Sequence, residues 1–192
     1  MRLTLIAAAL ALTACTGERQ ETPAPADILF DRIAAHCGKA YEGRVVSTDE
    51  ADQGFAQEQL VMHVRDCSPD TLRIPFHVGE NHSRTWVVTR TESGLRLKHD
   101  HRHQDGSEDA VTQYGGDSGA IGDTRAEFPV DQYSIDMFNR EGLTASVTNV
   151  WAVEITGDIF AYELSRENRY FRVEFDLAAP AAAPLPPWGA EG

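Results

Sequence analysis

The feature that most restricts this chain is the strict alternation of apolar and polar residues in successive short runs. From Thr71 to Val78, Leu72, Ile74, Phe76 and Val78 alternate with Thr71, Arg73, Pro75 and His77. From Arg169 to Leu177, Phe171, Val173, Phe175 and Leu177 alternate with Arg172, Glu174 and Asp176. A period of two puts every second side chain on one face, so each run reads as a strand with one side in a core. Gln59–Asp66, Val147–Thr156 and Ile159–Ser165 also set apolar residues to one face; Glu42–Thr48 and Leu95–His103 are further candidate strands, and Ser83–Thr91 is one on its strand formers Thr85, Trp86, Val87, Val88 and Thr89. Ser93-Gly94, Gly157-Asp158 and Glu167-Asn168 supply tight turns between them. Pro75 cannot donate to a ladder, which predicts a bulge or an open edge at that point.

The expected fold is therefore mainly β, an antiparallel meander of about eight strands. Closing the meander into a barrel removes its vulnerable edges, and a two-sheet sandwich is the alternative. Two short helices are expected. One runs from Asp27 to His36, with Asp27 as N-cap and Gly38 closing it. The other spans 131–140, with Asp131 as N-cap and Gly142 after it. The stretch from Gln104 to Asp123, rich in Gly and Asp, reads as irregular. A barrel behind a short N-terminal helix resembles the calycin (lipocalin-like) architecture. The likeness is one of architecture only, since Tyr41-Glu42-Gly43 stands where that class has Gly-x-Trp.

Both ends read as appendages. Arg2 precedes an apolar run from Leu3 to Leu12, well short of the ~20 residues that span a bilayer. Leu12-Thr13-Ala14-Cys15 then resembles the lipobox of bacterial lipoproteins. That resemblance implies a signal peptide over 1–14, cleavage before Cys15, and acyl chains on Cys15 that anchor the protein to a membrane. Thr16 stands where that class carries an inner-membrane retention Asp, which implies the outer membrane. Residues 15–27 form a polar tether, 28–177 the foldable domain, and the Ala/Pro-rich 178–192 a disordered tail, with Trp188 an unconstrained terminal residue.

With Cys15 acylated, Cys37 and Cys67 remain, and two cysteines in an exported domain are most simply a disulfide. Thirty Asp and Glu against 17 Lys and Arg give a formal charge of −13. No basic surplus is available to release counterions from phosphate, so no nucleic-acid partner is expected.

One strand carries the chemistry. His99, His101 and His103 alternate with Asp100 and Arg102, on the same parity as Leu95 and Leu97. If the leucines face the core, so do the three imidazoles. Alternate histidines on a strand can converge on one Zn²⁺ or Cu²⁺ ion, line a ligand pocket, or project into solvent. Trp86, Phe160 and Tyr162 are the expected partners in such a lining. The leading expectation is a lipid-anchored envelope protein that binds a small ligand or divalent metal through this face. The alternative is an interaction or structural lipoprotein with a filled core.

A hydrolase is a remote alternative. Ala34-Ala35-His36-Cys37 and Gly116-Asp117-Ser118-Gly119 resemble the His and Ser segments of trypsin-type serine proteases. Their context does not. His36 follows Cys15 by only 21 residues, Ser118 follows His36 by only 82, and Ala120 replaces that family's second Gly. A triad is defined by geometry rather than by tetrapeptides, so no catalytic residue is assigned.

Overall fold

The computed structural model describes residues 22–190. The lipobox and Cys15 lie outside them. Helix α1 (Pro25–Ala34) starts earlier than expected, because Pro25 takes a first-turn position after Ala24; Asp27 lies within the first turn and is not the cap. Strands β1 (Ala40–Val45), β2 (Leu60–His63) and the two-residue β3 (Asp66–Cys67) follow, with the short α2 (Gln53–Ala56) between β1 and β2. Then come β4 (Thr71–Val78), β5 (Asn81–Thr91), β6 (Gly94–His101), β7 (Tyr114–Asp117) and β8 (Arg125–Pro129). Helix α3 (Gln132–Arg140) has Asp131 as its N-cap, accepting from the Ser134 N–H at 2.9 Å. A 3-10 turn (Thr144–Thr148) leads into β9 (Val150–Thr156), β10 (Ile159–Arg166) and β11 (Arg169–Ala181).

Ten of the eleven described strands pair antiparallel in the order β7-β6-β5-β4-β2-β1-β11-β10-β9-β8, and β3 adds to β4. The sheet curls until its ends meet. Asp131 N–H donates to the Gly115 carbonyl at 2.9 Å, Gly119 N–H to Glu127 O at 2.8 Å, and Glu127 N–H to Ala120 O at 2.9 Å. Gly116 permits this seam, since a Cβ there would run into the Pro129 carbonyl. The Gly116-Asp117-Ser118-Gly119 fragment thus belongs to barrel closure, and Ser118 Oγ accepts the Leu95 N–H at 3.1 Å. His36 is engaged elsewhere, its Nδ1 2.6 Å from the Tyr41 hydroxyl.

The alternation set the inner face as expected. Leu72, Ile74, Val88, Leu95, Leu97, Phe128, Val153, Phe160, Val173 and Phe175 are buried inside, and Leu29, Phe30 and Ile33 of α1 join them. Helix α1 packs on β5, β6, β8 and β9. Arg90, at the far end of β5, lies over the Phe30 ring at 4.0 Å and pairs with Asp27 and Asp31. One end of the barrel is closed in this way. The Cys37–Cys67 disulfide pins the chain just after α1 to β3 across 30 residues. Pro75 falls between the last β2 pair, Met62 with Phe76, and the first β3 pair, Asp66 with Arg73, so its missing donor leaves no ladder bond unmade. On the outer wall Arg125 and Arg172 knit Glu154, Glu163 and Glu174 together.

Three expectations are corrected. The stretch read as irregular contains β7, whose Gly-rich sequence carries no alternation, and β8 follows it where no strand was expected. His77 was placed on the polar face of β4, yet it is 2% exposed. The segment after 177 is not free of the fold up to Ala190. Strand β11 runs to Ala181 against Ala40. Trp188 is half-buried against the outer wall, its backbone N–H donating to the His82 carbonyl at 3.0 Å and its ring 6.5 Å from that of His82. Composition measures how little a segment can bury on its own; it is silent about a single indole that finds a ready-made surface.

Candidate functional site

The end of the barrel opposite α1 is open and holds a cavity of about 270 Å³. Strand alternation brings Phe76 (β4), Arg84 and Trp86 (β5), His99 and His101 (β6) and Tyr162 (β10) to its wall. The rim is built by short elements outside the ladder: Phe55 of α2, Phe138 of α3, and Ser146 and Asn149 beside β9. Helix α3 is held in place by its cap, because the Ser134 hydroxyl also bonds the Gly115 N–H at 2.9 Å. Phe138 then lies 5.4 Å from the Tyr114 ring.

The aromatic groups pack as a stack. Trp86 is sandwiched between Phe76, with centroids 4.8 Å apart, and Tyr162, at 4.3 Å. His99 lies against Tyr114 at 4.4 Å and near Trp151 at 5.1 Å. Offset stacking of this kind stabilises beyond area burial and leaves a flat apolar wall.

The imidazoles are distributed differently from the expectation of a converging triplet. His99 is 2% exposed, with both ring nitrogens engaged. Nδ1 lies 3.0 Å from the Tyr114 carbonyl and Nε2 2.7 Å from the Tyr162 hydroxyl. A carbonyl only accepts, so Nδ1 carries the proton and Nε2 accepts from Tyr162. Burial pushes His99 down to about 3, which keeps it neutral, and raises the Tyr162 and Tyr114 hydroxyls well above their ordinary value. His101 lies at the cavity, its Nε2 3.2 Å from the Tyr114 hydroxyl. Burial, with the nearby Arg84 charge, lowers it to about 4. His103 is not in the site. The strand ends at His101, and His103 opens a turn in which its N–H donates to Ser107 O at 2.8 Å, leaving the side chain exposed. The Asp105-Gly106 turn reverses the chain before the third imidazole can join the others. Among the described residues, no group of three or more His, Cys, Asp or Glu is disposed to hold a metal ion.

Of the expected lining, Trp86, His99, His101 and Tyr162 reach the cavity. Phe160 does not; it is 1% exposed and packs in the filled core, 6.3 Å from Trp86. Arg84 was missed, although it shares the parity of Trp86 on β5, and that parity was the signal that could have found it. Tyr114 and Phe138 carried no such signal, because neither belongs to an alternating run.

The polar groups at the mouth are mostly accounted for. Arg169 pairs with Asp49 at 2.9 Å and with Asp52. Arg166 donates to the Asn149 amide oxygen at 3.1 Å. Arg84 differs. It lies 5.6 Å from the Phe55 ring centroid and reaches the Ser83 hydroxyl at 3.4 Å, with no carboxylate in ion-pair range among the described residues. Burial lowers its pKa, opposed only in part by Tyr114 and Tyr162. The arrangement offers hydrogen bonds, a stacked apolar wall and two guanidinia, Arg84 and Arg166, with no carboxylate partner among the described residues; of these only Arg84 also lacks a close acceptor. Compared with protein-family models, curated proteins and solved structures, the chain finds no match.

Proposed function

We propose that this is a binding module of the bacterial cell envelope, anchored by lipid on Cys15 at the periplasmic side of the outer membrane, which holds a small organic molecule in the open end of its barrel. The observation that carries the reading is the contrast within one barrel: closed and filled around α1, open and aromatic-lined around Trp86 and Tyr162. Concave, largely apolar sites with a few fixed polar groups are the usual form of small-molecule pockets. The Cys37–Cys67 bond suits an oxidising compartment. A ligand role for the histidine face is favoured over metal binding. A metal at His99 would have to displace the Tyr162 hydroxyl from Nε2, the ring nitrogen that carries no proton, and among the described residues no third ligand stands nearby.

The test has two arms. For the cavity, the neutral dye N-phenyl-1-naphthylamine should brighten on binding the purified domain, and Trp86→Ala should weaken it at least tenfold. Absence of binding would favour a non-binding interaction lipoprotein with an acidic surface. For the anchor, the full precursor expressed in an export-competent bacterium should fractionate with membranes and incorporate labelled palmitate. Cys15→Ser should release it as soluble protein.

A further inference from the structure

We infer that the cavity selects an organic anion: a compact apolar body bearing one carboxylate or similar group, which seats on Arg84 and His101. The inference rests on reading the cavity as a ligand site and adds the ligand's charge and the residue that recognises it.

The argument begins with a mismatch of charge. The chain carries 30 acidic residues against 17 Lys and Arg, yet among the described residues no Asp or Glu lines the cavity, whereas Arg84, Arg166 and Arg169 do. Arg169 is neutralised by Asp49 and Asp52, and Arg166 is shared with Asn149. Arg84 alone of the three has neither counter-charge nor good acceptor, only the Ser83 hydroxyl at 3.4 Å. The acids nearest in effect are committed elsewhere. Asp100 is on the outer wall, held by Arg73 at 2.6 Å and Arg102 at 2.8 Å. Asp109 accepts the Val111 N–H at 2.8 Å.

A half-buried guanidinium without a counter-charge is unfavourable unless something supplies one. The Phe55 face at 5.6 Å offsets part of that cost, but it cannot use the planar fork of N–H donors. A carboxylate can, with two parallel charge-assisted bonds. His101 stands directly opposite Arg84 in the β5–β6 ladder. It is held neutral beside that cation, so it can donate or accept a hydrogen bond without adding charge. The rest of the wall, Phe76, Trp86, Trp151 and Phe171, is apolar and receives the body of the ligand. A volume of about 270 Å³ falls just below the ~300–1,000 Å³ usual for sites of drug-sized ligands. That size fits a one- or two-ring aromatic acid or a medium-length alkyl acid.

The experiment compares acids with the alcohols of the same skeleton by isothermal titration calorimetry on the purified protein. The pairs are 2-naphthoate with 2-naphthalenemethanol, and octanoate with octan-1-ol. The acid should bind at least tenfold more tightly in each pair, and the preference should shrink as salt is raised. Arg84→Met should abolish the preference while leaving the alcohols' affinity within about threefold, and Arg84→Lys should restore part of it. Equal affinity for acid and alcohol, or a preference that survives Arg84→Met, would overturn the anion assignment while leaving a ligand cavity in place. If N-phenyl-1-naphthylamine and all four compounds fail to bind, the ligand reading itself falls with it. The comparison on the unmodified protein decides the question even if a variant fails to fold.

Discussion

Along β6, Leu95 and Leu97 face a floor closed by α1, whereas His99 and His101, on the same side of the same strand, face the open end. The leucines are 1% and 0% exposed and belong to the hydrophobic core. His99 is equally buried but lies among hydroxyls, a carbonyl and aromatic rings. Position on a strand face decides whether a side chain points inward. What it meets there depends on which elements cap each end of the barrel. The floor is sealed by a helix whose apolar residues continue the core. The mouth is bordered by short elements that leave room.

That contrast can be broken by substitutions of decreasing effect. The largest concerns the clamp beside the floor: replacing Cys37 and Cys67 by Ser should cost about 3–4 kcal/mol for a 30-residue loop, read by urea unfolding. Next, Leu97→Ala should cost about 3 kcal/mol, because the floor cannot collapse around the void. Leu164→Ala at the half-buried rim should cost under about 1 kcal/mol. Similar losses at the two positions would show that the ends are not energetically distinct.

The third test is pH. Burial depresses His99 to about 3, and His77 and His101 to about 4. Their unfolded values lie near 6.5. The unfolded chain therefore binds more protons between those limits, and stability should be full above pH 6.5 and fall as pH drops towards 4. Urea midpoints across pH 4–8 measure this, and a flat profile would contradict the buried neutral assignment. Both ring nitrogens of His77 lack hydrogen bonds among the described residues, so His77→Leu should flatten part of the slope and leave neutral-pH stability equal or higher. The smallest effect is expected at Arg84. Arg84→Met should change stability by less than about 1 kcal/mol, because the guanidinium has no ion pair to lose.

How much of this was legible varies from residue to residue. The runs Thr71–Val78 and Arg169–Leu177 announced their inner faces because burial on one side of a pleated strand forces a period of two. Two exceptions follow from the same physics. His77 has outward parity yet is buried, because His82 packs against it with centroids 4.3 Å apart on the outer wall. Tyr114 lies in a four-residue strand beside Gly115 and Gly116, too short and too glycine-rich to alternate. Arg84 was legible in parity but was passed over, since a charged residue on an inward face reads as a strand end. His103 was misplaced because the pattern could not say where the strand stops.

The residues alone specify an antiparallel β protein, the inward sides of its long strands, the helix capped by Asp131 and a pair of cysteines available to join. These depend on local periodicity and turn chemistry, which act within a few residues. Closure through Gly115 and Gly116, the filling of one end by α1, the docking of Trp188 and the seating of Arg84 above a stacked aromatic wall came only from the assembled molecule. They depend on segments far apart in the chain meeting in space, and no short-range pattern records which side chains will find themselves neighbours.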